Sequence, residues 1–338
     1  MYILGVNISH HPSTCLLKDG EVLWYIENER IARKKRIFIE NPIGFNTAKF
    51  VPHHVDHLVI ASFGSADHDP RRIELIFKGL KTHGGSFSKV QYNPLNHHKY
   101  HAANAFYSSG FEECVAIVID GYGACRDDKY PHREIESTYH CSYPNNIVEL
   151  DKHYSLAEIR PNTEPFVYDG CLMSNSLSVG MMFSYGCMNV GLDSGQDAGK
   201  LMGMAAYATK DISGDWFSNG RANNAEYLTA ISNLKSFRDY ANFAYKLQQE
   251  TKKHTIQYIR NAIERYRCKN IVLSGGYFLN CVNNYAYVKE FPDINFYIDP
   301  ISHDGGTSLG AAKLLWYNLT KDTTIRKMKN LYLGPTSK

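Results

Sequence analysis

The chain has 338 residues, a hydrophobic content of 43% and a net charge of +3, values that suit one large or two medium globular domains. Its longest apolar runs are strand-sized, which excludes a transmembrane helix, and the N-terminus enters a strand without a signal-peptide pattern. The eight cysteines lack paired spacing, so we expect reduced thiols in a cytoplasmic protein, and the small charge does not by itself indicate nucleic-acid binding.

The first part of the chain is predicted to form a strand meander followed by helices. Asp19-Gly20 is a strong hairpin signal between two strand-like runs. Ala102, Ala103 and Ala105 favour a helix further along. The predicted strands are Tyr2–Ser9, Ser13–Lys18, Glu21–Asn28 and His57–Ser62, and the predicted helices are Arg71–Thr82 and Tyr100–Ser109.

The same pattern then starts again. The apolar run Cys114–Ile119 predicts a buried strand that opens into a glycine turn. Two successive units of meander and α/β segments indicate an α/β protein with duplicated mixed sheets and a cleft between residues 1–112 and residues 113–330. Later strands are predicted around Ile135–Cys141, Ile147–Tyr154 and Asn270–Leu273, and a long helix over Tyr240–Arg267.

A candidate metal site begins with His97 and His101, which are four residues apart. On a helix, this spacing puts two imidazoles on one face, where they can bind one ion. Asp120 ends a predicted strand and Asp304 lies in a glycine-rich turn, so carboxylates can complete a two-histidine, one-carboxylate set. An isolated pair of histidines with this spacing more often lies on a helix surface and binds no metal. With both carboxylates present, we expect the four residues to hold one divalent ion, Fe²⁺ in preference to Zn²⁺.

A candidate nucleotide site does not follow the common fingerprints. Asp197-Ala-Gly199-Lys200 lacks the spacing of a Walker loop, and Gly121-x-Gly123 lacks a third glycine. Ser274-Gly275-Gly276 lies where a strand meets a helix, so its amides can approach a ligand, and Asn280 would follow with a free amide. Lys200 at a helix start is disfavoured unless an anion such as phosphate is present. The alternatives are a plain strand-to-helix turn and an exposed lysine.

These motifs resemble one known family. His97-x-x-x-His101 with Asp120-Gly121-x-Gly123 is similar to the metal signature of the carbamoyltransferases of the nodulation and antibiotic-tailoring type, whose transferase domain is related to the tRNA threonylcarbamoyladenosine protein. The resemblance implies the duplicated actin/Hsp70-like, ribonuclease-H-like fold with an interdomain cleft. Segments in matching order are Ile3–His10, Glu29–Lys35, Gly199–Ala205, Leu273–Asn284 and Asp304–Ala312.

The resemblance also implies a reaction. In this family a carbamoyl group passes from carbamoyl-adenylate, made from carbamoyl phosphate and ATP, to an acceptor hydroxyl. His10 is the candidate for polarising the carbonyl or handling the acceptor's proton, although His11 stands where the family usually has Asp. The residues expected to bind the nucleotide or carbamoyl-adenylate are Lys200, Gly203, Gly275, Gly276 and Asn280, and those expected on the acceptor or phosphate side are Ser13, Arg30, Arg33 and Lys34.

Three other functions stay open. They are N6-threonylcarbamoyl transfer to tRNA, carbamoylation of a hydroxymethylated pyrimidine nucleotide or DNA, and a non-catalytic nucleotide-binding regulatory subunit. The basic run Arg30–Arg36 alone favours the pyrimidine acceptor, and it is equally well interpreted as a solvated turn. The expected partners are a small-molecule or nucleoside acceptor and a second copy in a homodimer, with no membrane.

The end of the chain carries a further expectation. Leu331–Pro335 resembles the junction after which family members continue into a second domain that makes carbamoyl-adenylate. Because the chain stops at Lys338, we expect a truncated sequence, a separate adenylate-forming protein as partner, or direct use of carbamoyl phosphate. Length does not decide among these.

Overall fold

Two mixed β-sheets organise the chain. The computed structural model describes residues 1–35, 46–64, 69–127 and 129–335. Its strands are β1 Tyr2–Asn7, β2 Ser13–Lys18, β3 Glu21–Glu27, β4 His54–Ala61, β5 Ser86–Tyr92, β6 Glu113–Ile119, β7 Arg133–Ser142, β8 Asn146–Ser155, β9 Phe166–Tyr168, β10 Cys171–Ser174, β11 Phe217–Ser218, β12 Arg221–Ala222, β13 Asn270–Ser274 and β14 Asn295–Ile298. Its helices are α1 Asn28–Ala32, α2 Asp69–Thr82, α3 His97–Ser109, α4 Val179–Asn189, α5 Ala198–Met204, α6 Asn224–Ser232, α7 Phe237–Tyr266, α8 Cys281–Glu290 and α9 Thr307–Thr320.

The second sheet repeats the topology of the first. The first sheet has the order β3-β2-β1-β4-β5, in which β1, β2 and β3 are antiparallel neighbours and β4 and β5 are parallel to β1. The second sheet contains the order β8-β7-β6-β13-β14 with the same directions, and β10 and β9 extend it beyond β8. The predicted duplication of mixed sheets is therefore confirmed.

Helices α3 and α9 pack together in the core between the two sheets. Helix α3 lies on β6, β7 and β13 of the second sheet, and α9 lies on β1, β2 and β4 of the first. Their crossing is close, because a Cβ on Gly310 would lie 1.9 Å from the carbonyl oxygen of Tyr100. The first sheet uses strands that precede residue 113 and the second uses strands from residue 113 onward. Helix α3 precedes this position but packs on the second sheet, and α9 follows it but packs on the first, so the division into residues 1–112 and 113–330 stays a prediction.

The outer faces of the sheets carry the remaining helices. Alternate residues of β6 point to opposite sides, so that Ala116 faces the core with α3 and Ile117 faces the core with α4 and α7. Burial on both faces explains why the run Cys114–Ile119 is apolar throughout. On the first sheet, α2 covers the face away from α9 through Ile76 and its neighbours.

Several elements lie outside the predicted set. Strand β5 is an edge strand whose side chains are mostly exposed, and its mixed sequence gives no clear alternation.

None of the helices in the described ranges combines the length and apolar character that a bilayer span needs. All eight cysteines lie in the described ranges, and none forms a disulfide there.

Candidate metal and nucleotide site

Three packed elements bring the predicted metal ligands together. Helix α3 begins at His97, so that its first two turns carry both histidines on the side that faces the end of β6. Asp120 follows directly after β6, and Asp304 lies in the turn before α9. The ligand atoms of His97, His101, Asp120 and Asp304 all lie within 4.8 Å of one another, and all four residues are buried.

Both histidines present Nε2 to the carboxylates. His97 Nε2 lies 3.2 Å from Asp120 Oδ2 and 3.7 Å from Asp304 Oδ1. His101 Nε2 lies 3.8 Å from Asp120 Oδ2 and 3.7 Å from Asp304 Oδ1, and this buried nitrogen has no hydrogen-bond partner among the described residues. Two imidazole nitrogens and two carboxylate oxygens around one point are a ligand set that suits Fe²⁺ or Zn²⁺.

The charges at this point need a cation. Burial opposes ionisation of His97, but the carboxylates of Asp304 and Asp120 outweigh it and raise the pKa of His97 to about 9. Burial likewise favours protonated carboxyls, yet the histidines lower the pKa of Asp120 and hold that of Asp304 well below its usual range. Two buried carboxylates thus stay ionised, and one protonated His97 balances only one of their two negative charges, whereas a divalent ion balances both. The residues fit a metal ion.

The second oxygen of each carboxylate is held by the protein. Asp120 Oδ1 accepts hydrogen bonds from the amides of Gly121 at 2.8 Å and Gly276 at 3.2 Å. Asp304 Oδ2 accepts one from Ser9 Oγ at 2.8 Å and lies 3.2 Å from His10 Nδ1. These contacts assign the proton of a neutral His10 to Nδ1, which leaves its Nε2 as the acceptor nitrogen.

A cavity of about 460 Å³ opens beside these residues. His10, Asp120 and Asp304 line it together with Gly276 and the side chain of Phe63. Most of its remaining wall is apolar or glycine backbone, as in many small-molecule sites. The buried ligand set therefore meets a space large enough for a small organic ligand.

Comparison with known proteins decides the family. A family profile described as Carbamoyltransferase N-terminus matches residues 72–237 and 210–313, which is more than half of the chain. The chain belongs to this carbamoyltransferase family.

Curated relatives extend over most of the chain. The uncharacterised protein sll1178 of Synechocystis is 24% identical over 99% of this chain and 60% of its own length. Nodulation protein NolNO of Sinorhizobium fredii is 22% identical over 96% of this chain and 49% of its own length. Nodulation protein NolO of Bradyrhizobium diazoefficiens is 25% identical over 71% of this chain and 42% of its own length. The chain thus spans about half the length of these relatives.

Solved structures show the same fold. HypF of T. kodakarensis superposes with a TM-score of 0.57 at 12% identity, covering 94% of this chain and 47% of that one. The activator of the 2-hydroxyisocaproyl-CoA dehydratase from Clostridium difficile, solved with bound ADPNP, gives a TM-score of 0.53 at 12% identity over 94% and 95%. The expected actin/Hsp70-like architecture is confirmed for this member of the carbamoyltransferase family.

The predicted nucleotide residues separate into two groups. Gly276 and Asn280 line the cavity, whereas Gly275, Lys200 and Gly203 are not among its lining residues. Gly275 lies in the turn directly after β13, and Lys200 and Gly203 lie on α5. Nucleotide binding by these five residues stays a prediction.

Two of the physical reasons given for these residues are corrected by the structure. Lys200 Nζ pairs with Asp197 Oδ1 at 2.8 Å, so that a side chain of the same turn supplies the anion expected at this helix start. The amide of Asn280 is not free, because it exchanges hydrogen bonds with Gln248 at 2.7 and 3.0 Å. Asp197 stands three residues before Lys200 in the same motif, at the spacing of a local ion pair, whereas Gln248 is 32 residues from Asn280 and no local motif reveals it.

The residues expected on the acceptor or phosphate side do not line the cavity in the described structure. Ser13 is buried, and its Oγ donates to the carbonyl of Gly305 at 2.6 Å, so that it supports the turn beside Asp304. Arg30 is exposed, and its Nη2 lies 3.8 Å from Oε1 of Glu29. Arg33 and Lys34 are exposed as well. Their contact with a phosphate stays a prediction, and Arg36, the end of that basic run, lies outside the described residues.

Helix α4 and the turn before α5 complete the cavity, and the sequence interpretation missed both. Gly180, Met181, Phe183 and Ser184 contribute from the first turns of α4, where Ser178 caps the helix by accepting from the amide of Met181. Ser178, followed by an apolar run, is a helix-start signal that could have placed α4. The turn before α5 also lines the cavity through Ser194, Gly195 and Gln196, and the start of α5 does so through Ala198 and Gly199.

Proposed function

We propose that this cavity transfers a carbamoyl group from carbamoyl-adenylate to an acceptor hydroxyl. Membership of the carbamoyltransferase family supports carbamoyl transfer in general. One observation carries the assignment to this site: Asp304 faces the histidine pair with one oxygen and His10 with the other. A single carboxylate therefore connects the metal ligands to the candidate acid–base group.

The metal part of the proposal rests on the buried ligand set. His97, His101, Asp120 and Asp304 would hold one divalent ion, with Fe²⁺ favoured over Zn²⁺ by the mixture of imidazole and carboxylate ligands. When bound, such an ion supplies positive charge that can neutralise a leaving phosphate and orient a carbonyl. The unpaired Nε2 of His101 supports this interpretation, because a buried nitrogen without a partner is costly.

His10 has the position of a general base. The oxygen of the acceptor hydroxyl forms a bond to the carbamoyl carbon, and the bond between that carbon and the phosphate oxygen breaks. The electron pair leaves with AMP, and the hydroxyl proton passes to Nε2 of His10, whose Nδ1 proton is held by Asp304. The side chain is 39% exposed and lines the cavity, which supports access to an acceptor.

The apolar part of the cavity lining suits the nucleotide part of the donor. Phe183, Met202, Tyr277 and Leu279 give it an apolar surface for a planar base. A Cβ on Gly121 would meet nothing within 4 Å, so that the backbone at this turn leaves room for close approach of a phosphate. ATP would then be the source of the donor, as carbamoyl-adenylate.

Mass spectrometry tests the proposal. Wild-type protein, supplied with carbamoyl-adenylate and candidate hydroxyl acceptors, is expected to produce an acceptor with the added mass of a carbamoyl group. The double variant His97→Ala/His101→Ala is expected to lose both bound metal and transfer, because two of four ligands are missing. Metal analysis of both proteins accompanies the assay.

The exposed neighbours His53 and His54 provide the matched control, since His53→Ala/His54→Ala also removes two adjacent imidazoles. This control is expected to keep metal content and transfer. Equal metal content in wild type and His97→Ala/His101→Ala would contradict the metal site. Full metal loading without transfer to any hydroxyl acceptor would contradict the reaction.

A further inference from the structure

A second cavity, of about 200 Å³, lies apart from the first. It is bounded by the hairpin between β2 and β3, by α3 and α9, and by the segment after α9. None of its lining residues lines the larger cavity. It is therefore a separate space, and nothing in the proposed transfer reaction uses it.

The lining of this second cavity is strongly basic. Lys313, Arg326, Lys327 and Lys329 face a single acidic lining residue, Glu21. Glu21 is already paired, because its Oε1 lies 2.8 Å from Arg326 Nε, and Arg326 also binds Asp322 at 2.7 Å. Among the described residues, no carboxylate lies within ion-pair distance of the three lysines. The cavity thus carries excess positive charge.

Lys313 is the deepest of these cations. The residue is 6% exposed, and within the described chain its Nζ makes one hydrogen bond, to Ser108 Oγ at 2.7 Å. An ammonium group has three donors, so that two are left for a ligand in the cavity. Burial lowers the pKa of Lys313 to about 8, although the charge of Asp299 acts in the opposite direction. A buried cation without a contacting anion is costly, and an anion would relieve that cost.

Asp299, the buried carboxylate whose charge acts on Lys313, does not serve as its ion-pair partner. Asp299 Oδ2 accepts hydrogen bonds from Asn104 Nδ2 at 2.9 Å and Ser274 Oγ at 3.0 Å. Its Oδ1 accepts from the amide of Ile301 at 3.0 Å. Asp299 is thereby fixed on the side of the metal ligands, and it reaches Lys313 only through Asn104 and Ser108.

We propose that the second cavity binds a small oxyanion of the size of inorganic phosphate. The ammonium of Lys313 binds it from the floor, and Lys327 and Lys329 bind it from the rim, while Tyr107 and Tyr317 limit its size. Charge-assisted hydrogen bonds from several lysines are a common way to hold phosphate. The site is independent of the donor bound in the larger cavity.

Phosphate titration tests this site. Calorimetry with inorganic phosphate is expected to show saturable binding by the wild-type chain and at least tenfold weaker binding by Lys313→Met. Lys327→Met, which changes an exposed rim residue, is expected to weaken binding by about threefold, the loss typical of one exposed charge contact. Lys235→Met removes an exposed lysine that does not line the cavity and is expected to bind phosphate like wild type.

Two comparisons make the result decisive. The same titration in the His97→Ala/His101→Ala background removes binding at the candidate metal site, so that the Lys313-dependent component is expected to persist whether or not the proposed transfer is correct. Thermal unfolding of each variant verifies folding, and if Lys313→Met does not fold, Lys327→Met decides. Wild-type affinity in folded Lys313→Met and Lys327→Met, or no saturable binding by wild type, would overturn the proposal.

Discussion

The two carboxylate oxygens of Asp304 have different neighbours, so that one side chain can serve two roles. Its Oδ1 lies 3.7 Å from both histidine Nε2 atoms, and its Oδ2 binds Ser9 and His10. A carboxylate fixed in this way orients the ring of His10 and sets which nitrogen carries the proton. Residue-scale experiments can therefore separate metal binding from proton transfer.

Replacing His10 should separate them. We expect His10→Ala to keep its metal, because all four ligands are intact, and to lose transfer by about a hundredfold or more, as is typical of removing a positioned acid–base group. Single-turnover transfer from supplied carbamoyl-adenylate measures this. His140→Ala, which removes an exposed histidine paired with Glu113, is the control and should transfer normally. Wild-type rates in His10→Ala would exclude His10 from the mechanism.

Single-residue expectations were most successful where geometry is local. The four-residue spacing of His97 and His101 is rigid once a helix forms, so their common direction followed from sequence. The partner of Lys200 is also local, since Asp197 is its i,i+3 neighbour, but packing decides what the amide of Asn280 contacts. Gln248, the partner of Asn280, is separated from it by 32 residues, and no local pattern reveals that contact.

At the scale of elements, the turn after β13 sets the shape of the site. Gly275 has φ +99°, and a Cβ there would lie 2.2 Å from the carbonyl oxygen of Ile119 at the end of β6. The two strand ends therefore approach closely, and this places the amide of Gly276 against Asp120. Glycine is required both by the backbone conformation and by this contact.

Substitution of two glycines separates those requirements. Gly170→Ala also places a side chain at positive φ, +75°, but meets nothing within 4 Å, so we expect a loss of roughly 1 kcal/mol in the free energy of unfolding. Gly275→Ala adds the clash with Ile119, and we expect a loss of roughly 3 kcal/mol or more. Urea denaturation measures both. Equal losses would show that the close approach contributes nothing.

Elements with strong periodicity were predictable, and exposed or short ones were not. The run Cys114–Ile119 is apolar because both faces of β6 are buried, and the observed strand differs from it by one residue. Strand β9 has three residues and exposes Phe166 and Val167, so its sequence carries little pattern. Helix α4 is rich in Met and Gly, and its periodicity is weak although much of it is buried.

At the scale of the whole molecule, buried ion pairs join elements that are distant in sequence. Glu136 on β7 lies 2.7 Å from His254 Nε2 on α7 and 3.6 Å from His153 Nδ1 on β8. Burial raises the pKa of Glu136, but the two histidines outweigh it and lower the value to about 2. The stability of the second sheet and its long helix should therefore depend on pH.

The direction of this dependence follows from the lowered pKa. Glu136 stabilises the folded state fully above its unfolded pKa of 4.5, and this contribution is lost as the pH falls from 4.5 through about 2. We expect Glu136→Gln to lower the free energy of unfolding by about 3 kcal/mol near neutral pH, with the difference from wild type shrinking in acid. Chemical denaturation across this pH range measures it, with the exposed Glu164→Gln as control. A difference that does not depend on pH would contradict the argument.

Helix α3 precedes the second sheet in the chain but covers it, and α9 follows the first sheet but covers that one, so the two halves of the chain are not expected to recombine as independent units. A chimaera joined at residue 112 would bring an α3 from one parent to cover the other parent's second sheet, and it would pair that α3 with a foreign α9. At the crossing, a Cβ on Gly310 would lie 1.9 Å from the carbonyl oxygen of Tyr100, so a foreign α9 with a larger residue at this position would clash with α3 of this chain. A chimaera of two relatives is therefore expected to fold only when α3 and the second sheet come from one parent, and α9 and the first sheet come from one parent. A single junction in the chain cannot achieve this, because α3 precedes the second sheet and α9 follows it.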